Sequence, residues 1–79
     1  MSRRKNQILL ERIGTVLKAL RREKGVSQQD VFNDTSIHMG RIETSNSDLN
    51  ISTLSNLCNY FEITISDFFS RVENDSPKP

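Results

Sequence analysis

The side chains of this chain that could do chemistry are mostly hydrogen-bond donors rather than nucleophiles or metal ligands. The 79 residues include one cysteine, Cys58, and one histidine, His38. A zinc site with four protein ligands needs more than these two. The sequence also has no glycine-rich phosphate loop and no nucleophile elbow. We therefore expect no enzymatic activity, no metal and no other cofactor, and we expect Cys58 to lie in the core.

Polar donors are instead concentrated in the middle of the chain. Arginine, glutamine, asparagine, histidine and hydroxyl side chains bind phosphate oxygens and base edges. The candidates of this kind are Ser27, Gln28, Thr35, Ser36, His38, Arg41, Asn46 and Ser47. Such donors would suit a nucleic-acid partner if the fold brought them to one surface.

The charge distribution is consistent with such a partner. The net charge is only +1, but basic residues outnumber acidic ones up to Glu43, and acidic residues outnumber basic ones after it. A basic half and an acidic half favour one face for a polyanion and another face for a different contact. Ordinary scatter of surface charge is the alternative explanation.

Five short helices are predicted to position these donors. The first runs from about Asn6 to Lys24, where Gly25 ends it. Its apolar residues recur at intervals of three and four, which is typical of one buried helix face. They are Ile8, Leu9, Ile13, Val16, Leu17 and Leu20.

The next two helices contain most of the candidate donors. Helix 2 is predicted from Gln28 to Asn33, with Ser27 as its N-cap and Asp30 completing a capping box. The turn formers 33–36 then separate it from helix 3. Helix 3 is predicted from Ile37 to Thr44, with Met39 and Ile42 on its inner side.

Two further helices complete an all-α domain. Asn50 or Ser52 caps a helix that ends near Tyr60, and Thr64 or Ser66 caps the last helix. The apolar face of the fourth helix is Ile51, Leu54, Leu57, Cys58 and Phe61. No alternating apolar run suggests a strand.

Three segments in this order resemble the XRE family of phage-repressor-like helix-turn-helix regulators. They are Arg21-x-x-x-Gly25-Val26-Ser27-Gln28, then Arg41-Ile42-Glu43, then Asn50-Ile51-Ser52-Thr53-Leu54 with the stretch 61–68. The resemblance covers about Ile13 to Val72. It implies a compact five-helix, lambda-repressor-like domain that binds double-stranded DNA.

The resemblance also implies roles for particular residues. Gln28, with Ser27, would bind a phosphate at the start of helix 2. Helix 3 would be the recognition helix, and Asn46 and Ser47 would contact phosphates after it. The residues implied at or near the start of helix 3 are Thr35, Ser36, Ile37, His38, Gly40 and Arg41. Ile37 would contact a thymine methyl group or belong to the core.

Arg21 and Glu43 resemble the family's partly buried ion pair, which would fix the angle of the recognition helix. The sequence departs from the family between helices 2 and 3. The interval from Gln28 to Glu43 is 15 residues, about three fewer than is usual for this helix-turn-helix. Phe32 also stands where a small alanine is usual. The shortening must come from the end of helix 2 or from the turn.

A two-fold homodimer is the expected assembly, because one helix-turn-helix reads only a few base pairs. Adjacent Phe68 and Phe69 point about 100° apart on a helix, so Phe69 is expected to be partly exposed. The candidate interface residues are Ile65, Phe69 and Val72. The predicted function is a repressor on a pseudo-palindromic operator. The alternative is a protein-interaction module or an antitoxin-type domain with a protein partner.

The expected organisation is a flexible basic arm at 1–7, the DNA-binding domain at 8–73 and a disordered tail at 74–79. The lone cysteine favours a reducing, cytoplasmic location. No apolar run reaches the roughly 20 residues of a membrane span, so we expect no membrane association.

Overall fold

Five helices are formed by the residues that the computed structural model describes, which are residues 6–44 and 49–74. Their bounds are Gln7–Lys24 (α1), Gln28–Thr35 (α2), Met39–Glu43 (α3), Ile51–Tyr60 (α4) and Ile65–Asn74 (α5). No residue in the described ranges belongs to a strand, which confirms the all-α prediction. None of the helices formed by these residues is long and apolar enough to cross a membrane.

The helix ends follow the capping residues in the sequence. Gly25, at φ 78°, ends α1 in the left-handed conformation that glycine adopts without strain. The side chain of Asn50 accepts a hydrogen bond from the backbone N–H of Thr53 at 2.8 Å, and Thr64 accepts one from Asp67 at 3.0 Å. Asn50 and Thr64 therefore cap α4 and α5, rather than Ser52 and Ser66.

The core lies where α1 packs against both α3 and α5. Leu17, Val31, Leu57 and Phe68 have no exposed surface, and Cys58 is buried among them as predicted. The other members of this cluster are Ile13, Val16, Leu20, Met39, Ile42, Leu54 and Val72. Every helix contributes to one cluster, so the position of α3 depends on the packing of the whole domain.

Two predicted helix faces are wrong at their first turns. In α1, Ile8 is 66% and Leu9 38% exposed, and Leu10 is the buried residue of that turn. Ile8 lies about 140° around the helix from Ile13, so the two cannot share a face. In α4, Ile51 is 70% exposed, because the buried residues of that helix begin one turn later.

The link between α2 and α3 also differs from the prediction. Helix α2 continues through Thr35, whose hydroxyl donates to the carbonyl oxygen of Val31 at 2.7 Å. Ser36 then ends it with a left-handed φ of 63°. Helix α3 begins only at Met39. The link between the two helices is therefore residues 36–38.

One glycine sets the distance between α1 and α3. A Cβ atom at Gly14 would lie 2.8 Å from the backbone oxygen of Ile42 and 3.1 Å from that of Glu43. Real Cβ atoms do not approach backbone oxygens so closely. The absence of a side chain at Gly14 therefore lets the end of α3 lie directly on α1.

The predicted arm at 1–7 and tail at 74–79 fall mainly outside the described residues. Their inner ends adjoin the first and last helices. Gln7 is the first residue of α1, with Asn6 as its N-cap, and Asn74 is the last residue of α5.

Candidate nucleic-acid interface

An open cleft between α2 and α3 gathers several of the predicted donors on one surface. Its volume is about 430 Å³. The residues that line it are Gln28, Gln29, Phe32, His38, Met39, Gly40 and Arg41. We call it the α2–α3 cleft.

The start of α2 is fixed by a complete capping box. The hydroxyl of Ser27 accepts from the backbone N–H of Asp30 at 3.0 Å, and the Asp30 carboxylate accepts from the backbone N–H of Ser27 at 2.9 Å. The second bond lowers the pKa of Asp30, because it favours the charged carboxylate. The box holds the first turn of α2, and Gln28 with it, at the mouth of the cleft.

Glu43, at the end of α3, accepts hydrogen bonds from both sides. The guanidinium of Arg21 donates from Nε to Oε2 at 2.8 Å and from Nη2 to Oε1 at 3.2 Å. Gln28 donates from Nε2 to Oε1 at 3.1 Å. One carboxylate thus joins α1, α2 and α3.

The ion pair that the resemblance implies is therefore present, and it is mostly buried. The side chains of Arg21 and Glu43 are 13% and 4% exposed. The hydrogen bonds with Glu43 raise the pKa of Arg21 above its ordinary value. Arg21 also donates from Nη1 to the carbonyl oxygen of Val26 at 3.1 Å, which ties the α1–α2 link to the same network.

His38 precedes α3 and stacks on Phe32. The ring centroids are 4.4 Å apart and the ring planes are 27° from parallel. His38 is the N-cap residue of α3, but its side chain makes no capping bond. His38 is exposed, and within the described part of the chain neither imidazole nitrogen takes part in a hydrogen bond.

Arg41 is the exposed cation of α3. Its side chain forms no hydrogen bond or ion pair with another described residue, whereas Arg21 pairs with Glu43 and Arg71 with Glu23. Gly40, next to it, faces Gln28 across the cleft. A Cβ atom at Gly40 would lie 3.4 Å from the amide oxygen of Gln28, which is ordinary contact.

The structure brings together some predicted DNA-contacting residues and separates others. Gln28, His38, Gly40 and Arg41 line the cleft, and Ser27 adjoins it as the cap of α2. Ser36 is exposed in the link before α3. Neither Ile37 nor His38 belongs to a helix, which corrects the predicted start of helix 3.

Other candidates of that set lie elsewhere. Ile37 packs against the core, so the core alternative stated for it holds. The Thr35 hydroxyl is occupied by Val31 and by the backbone N–H of Ile37. Asn46 and Ser47 lie outside the described residues.

Sequence reasoning assigned no site role to Gln29, Phe32 or Gly14. Gln29 follows Gln28 at the helix start, and its amide donates to Asn33 at 2.9 Å. Phe32 is half-buried and forms a wall of the cleft. Its unusual size at a position where alanine is usual was the signal that could have marked it.

The candidate dimer residues are divided between surface and core. Ile65 is 41% exposed. Phe69 is half-buried, and its ring meets that of Phe68 edge to face at 5.3 Å. Val72 is 1% exposed, which makes it wrong as an interface residue. It lies four positions after Phe68 and shares its inward face.

Comparison with known proteins agrees with this geometry. A family model of the Cro/C1-type HTH DNA-binding domain matches residues 16–74. A crystal structure of the wild-type restriction-modification controller protein C.Esp1396I superposes with a TM-score of 0.79 and 26% identity, covering 90% of this chain and 95% of that chain. No curated protein matches the sequence. The resemblance to XRE-type regulators is thereby confirmed, and the chain belongs to the Cro/C1-type helix-turn-helix DNA-binding domain family.

Proposed function

We propose that this chain is a sequence-specific transcriptional regulator that receives double-stranded DNA at the α2–α3 cleft. The observation that carries the proposal is the set of donors at that cleft. Arg41 and His38 are exposed and unpaired among the described residues, and both lie beside Gln28. Arginine bonds guanine through two atoms in the major groove, and histidine offers one further donor or acceptor.

Gln28 is proposed to contact the DNA backbone. Its amide has two N–H groups, and the bond to Glu43 uses one of them. The second N–H and the unpaired backbone N–H groups of the first turn of α2 suit a phosphate oxygen. Ser27 adjoins the same position.

Base readout would come from the link at residues 36–38 and from α3 together. Helix α3 has only five residues, and its first, Met39, is buried. Base contacts would therefore come from Arg41 on the helix, from His38 on the extended backbone before it and from Ser36 at the left-handed turn. Gly40 leaves room for the DNA backbone or a base edge to approach closely.

Dimerisation through α5 is part of the proposal. Ile65 and Phe69 leave apolar surface on this helix, and exposed apolar patches mark interfaces. A two-fold dimer would place two clefts on a pseudo-palindromic operator. The similar structure is described as a controller protein, which supports a regulatory role. We propose repression as the outcome.

Fluorescence titration of labelled genomic fragments at two salt concentrations tests this function. Selective binding to some fragments, with an affinity that falls steeply as salt rises, is the expected result. Absent or salt-insensitive binding would contradict it and would favour a protein partner instead.

A further inference from the structure

The ring of Phe32 stacks on the ring of His38, whose side chain makes no hydrogen bond or ion pair within the described residues. The two rings are 4.4 Å apart in a stacked arrangement, close to the preferred separation of aromatic pairs. The backbone around His38 provides little support, because it is extended at φ −85° and ψ 96° and no side-chain cap bond is present. Without the stack, the imidazole of an exposed residue would rotate freely.

Phe32 also fixes the backbone that leads to His38. Its carbonyl oxygen accepts the hydrogen bond from the backbone N–H of Ser36 at 2.7 Å. That bond closes the left-handed turn at which α2 ends. The main chain of Phe32 thus helps to end α2 at Ser36, and its side chain stacks on His38, two positions later.

We infer that Phe32 is a positioning residue for DNA readout, and that it holds His38 as a determinant of base specificity at the α2–α3 cleft. The inference rests on the proposed function. A donor that is already fixed loses less conformational entropy when it meets a base edge, so the contact is stronger and more selective. The stack supplies this preorganisation on the three-residue link that precedes the five-residue α3.

The size of residue 32 follows from this role. An alanine there would leave the same backbone bond to Ser36 but would remove the ring beneath the imidazole. Phe32 is half-buried and lines the cleft rather than filling the core. The large side chain and the short link are two parts of one arrangement.

A double-mutant cycle tests the inference. The DNA probes are a duplex selected by the wild-type chain from a random-sequence library and a scrambled duplex of the same composition. The variants are Phe32→Leu, which keeps apolar bulk, Phe32→Tyr, which keeps the ring, His38→Ala, and the double variant Phe32→Leu/His38→Ala. The measured quantity is the affinity for the selected duplex divided by the affinity for the scrambled duplex. A general loss of folding lowers both affinities together and leaves this ratio unchanged.

Phe32→Leu and His38→Ala are each expected to lower this ratio by about fivefold, the scale of one lost base contact. The double variant is expected to lower it no further than His38→Ala alone. Phe32→Tyr keeps the aromatic ring and is expected to retain most of the wild-type ratio. In NMR spectra, Phe32→Leu should move the His38 ring protons downfield, because the ring current of the stacked phenyl group is lost.

Two results would overturn the inference. One is an equal effect of Phe32→Leu in the wild-type and His38→Ala backgrounds. The other is an unchanged position of the His38 ring signals in Phe32→Leu. Failure of the library to enrich any sequence would instead contradict the proposed function, and the inference would fall with it.

Discussion

Arg21 and Glu43 lie 22 residues apart in the sequence and meet through two hydrogen bonds that join the end of α1 to the end of α3. Their side chains are mostly buried. The pair thus acts as a cross-link between the longest helix and the helix proposed to read DNA. Glu43 has a further donor in Gln28, whereas Arg21 has a further acceptor in Val26.

Removal of either partner should destabilise the domain, but not equally. Arg21→Met leaves the more buried carboxylate, that of Glu43, without its cation. This change is expected to lower the free energy of unfolding by about 3 kcal/mol. Glu43→Gln leaves a more exposed guanidinium and should cost about half as much. Urea denaturation followed by circular dichroism, at one fixed protein concentration, measures both. A smaller loss for Arg21→Met than for Glu43→Gln would contradict this assignment.

Gly14 and Gly40 offer a matched pair of glycine-to-alanine changes. At Gly14 the new methyl group would meet backbone oxygens of α3, so Gly14→Ala should cost about 1–3 kcal/mol. At Gly40 the methyl group has room, and the higher helix propensity of alanine should raise stability by up to about 1 kcal/mol. Thermal unfolding measures both, and a stable Gly14→Ala variant would disprove the close packing of α1 on α3.

Tyr60 should titrate at unusually high pH. Its hydroxyl donates to Asp34 at 2.7 Å, and this hydrogen bond raises the pKa of Tyr60 to about 12. The ordinary value is about 10. Because the folded value is the higher one, the stabilisation from this bond is complete below pH about 10 and is lost as the pH rises towards about 12.

The measurement is direct, because the chain has one tyrosine and no tryptophan. Ultraviolet difference absorbance of the phenolate therefore reports Tyr60 alone. Asp34→Asn is the control variant, and its midpoint should move towards about 10. Equal midpoints in the two proteins would show that the hydrogen bond is absent in solution.

The proposed dimer can be tested with two exposed isoleucines. Ile65→Glu on α5 places a charge in the proposed interface and should shift sedimentation from dimer to monomer. Ile51→Glu, at the more exposed first turn of α4, is the matched control and should leave the assembly unchanged. If only Ile51→Glu dissociated the dimer, the interface would lie at α4 instead of α5.

The sequence predicted the parts of this fold that depend on local chemistry. Local residue types were enough to predict the capping box of Ser27 and the end of α1 at Gly25. The family resemblance was enough to predict that Arg21 pairs with Glu43. The family resemblance located the α2–α3 surface as well.

The parts that could not be predicted depend on contacts across the fold. The exposure of Ile51 depends on where the packing of α4 begins, whereas that of Ile8 follows from its angle of about 140° to Ile13 on α1. The left-handed turn at Ser36 and the late start of α3 depend on hydrogen bonds to α2 that no residue pattern displays. Val72 and Ile65 both fit an amphipathic helix, and only the packing of α5 on α1 shows which of them is buried.

The central claim is that the α2–α3 cleft receives a DNA duplex, and Arg41→Ala tests it most directly. Arg22→Ala, which removes the same charge from an exposed position on α1, is the control. The account predicts that Arg41→Ala weakens binding to the selected duplex by about 1–3 kcal/mol and relaxes its preference over a scrambled duplex. Binding by Arg41→Ala that equals that of Arg22→Ala on both duplexes would contradict it.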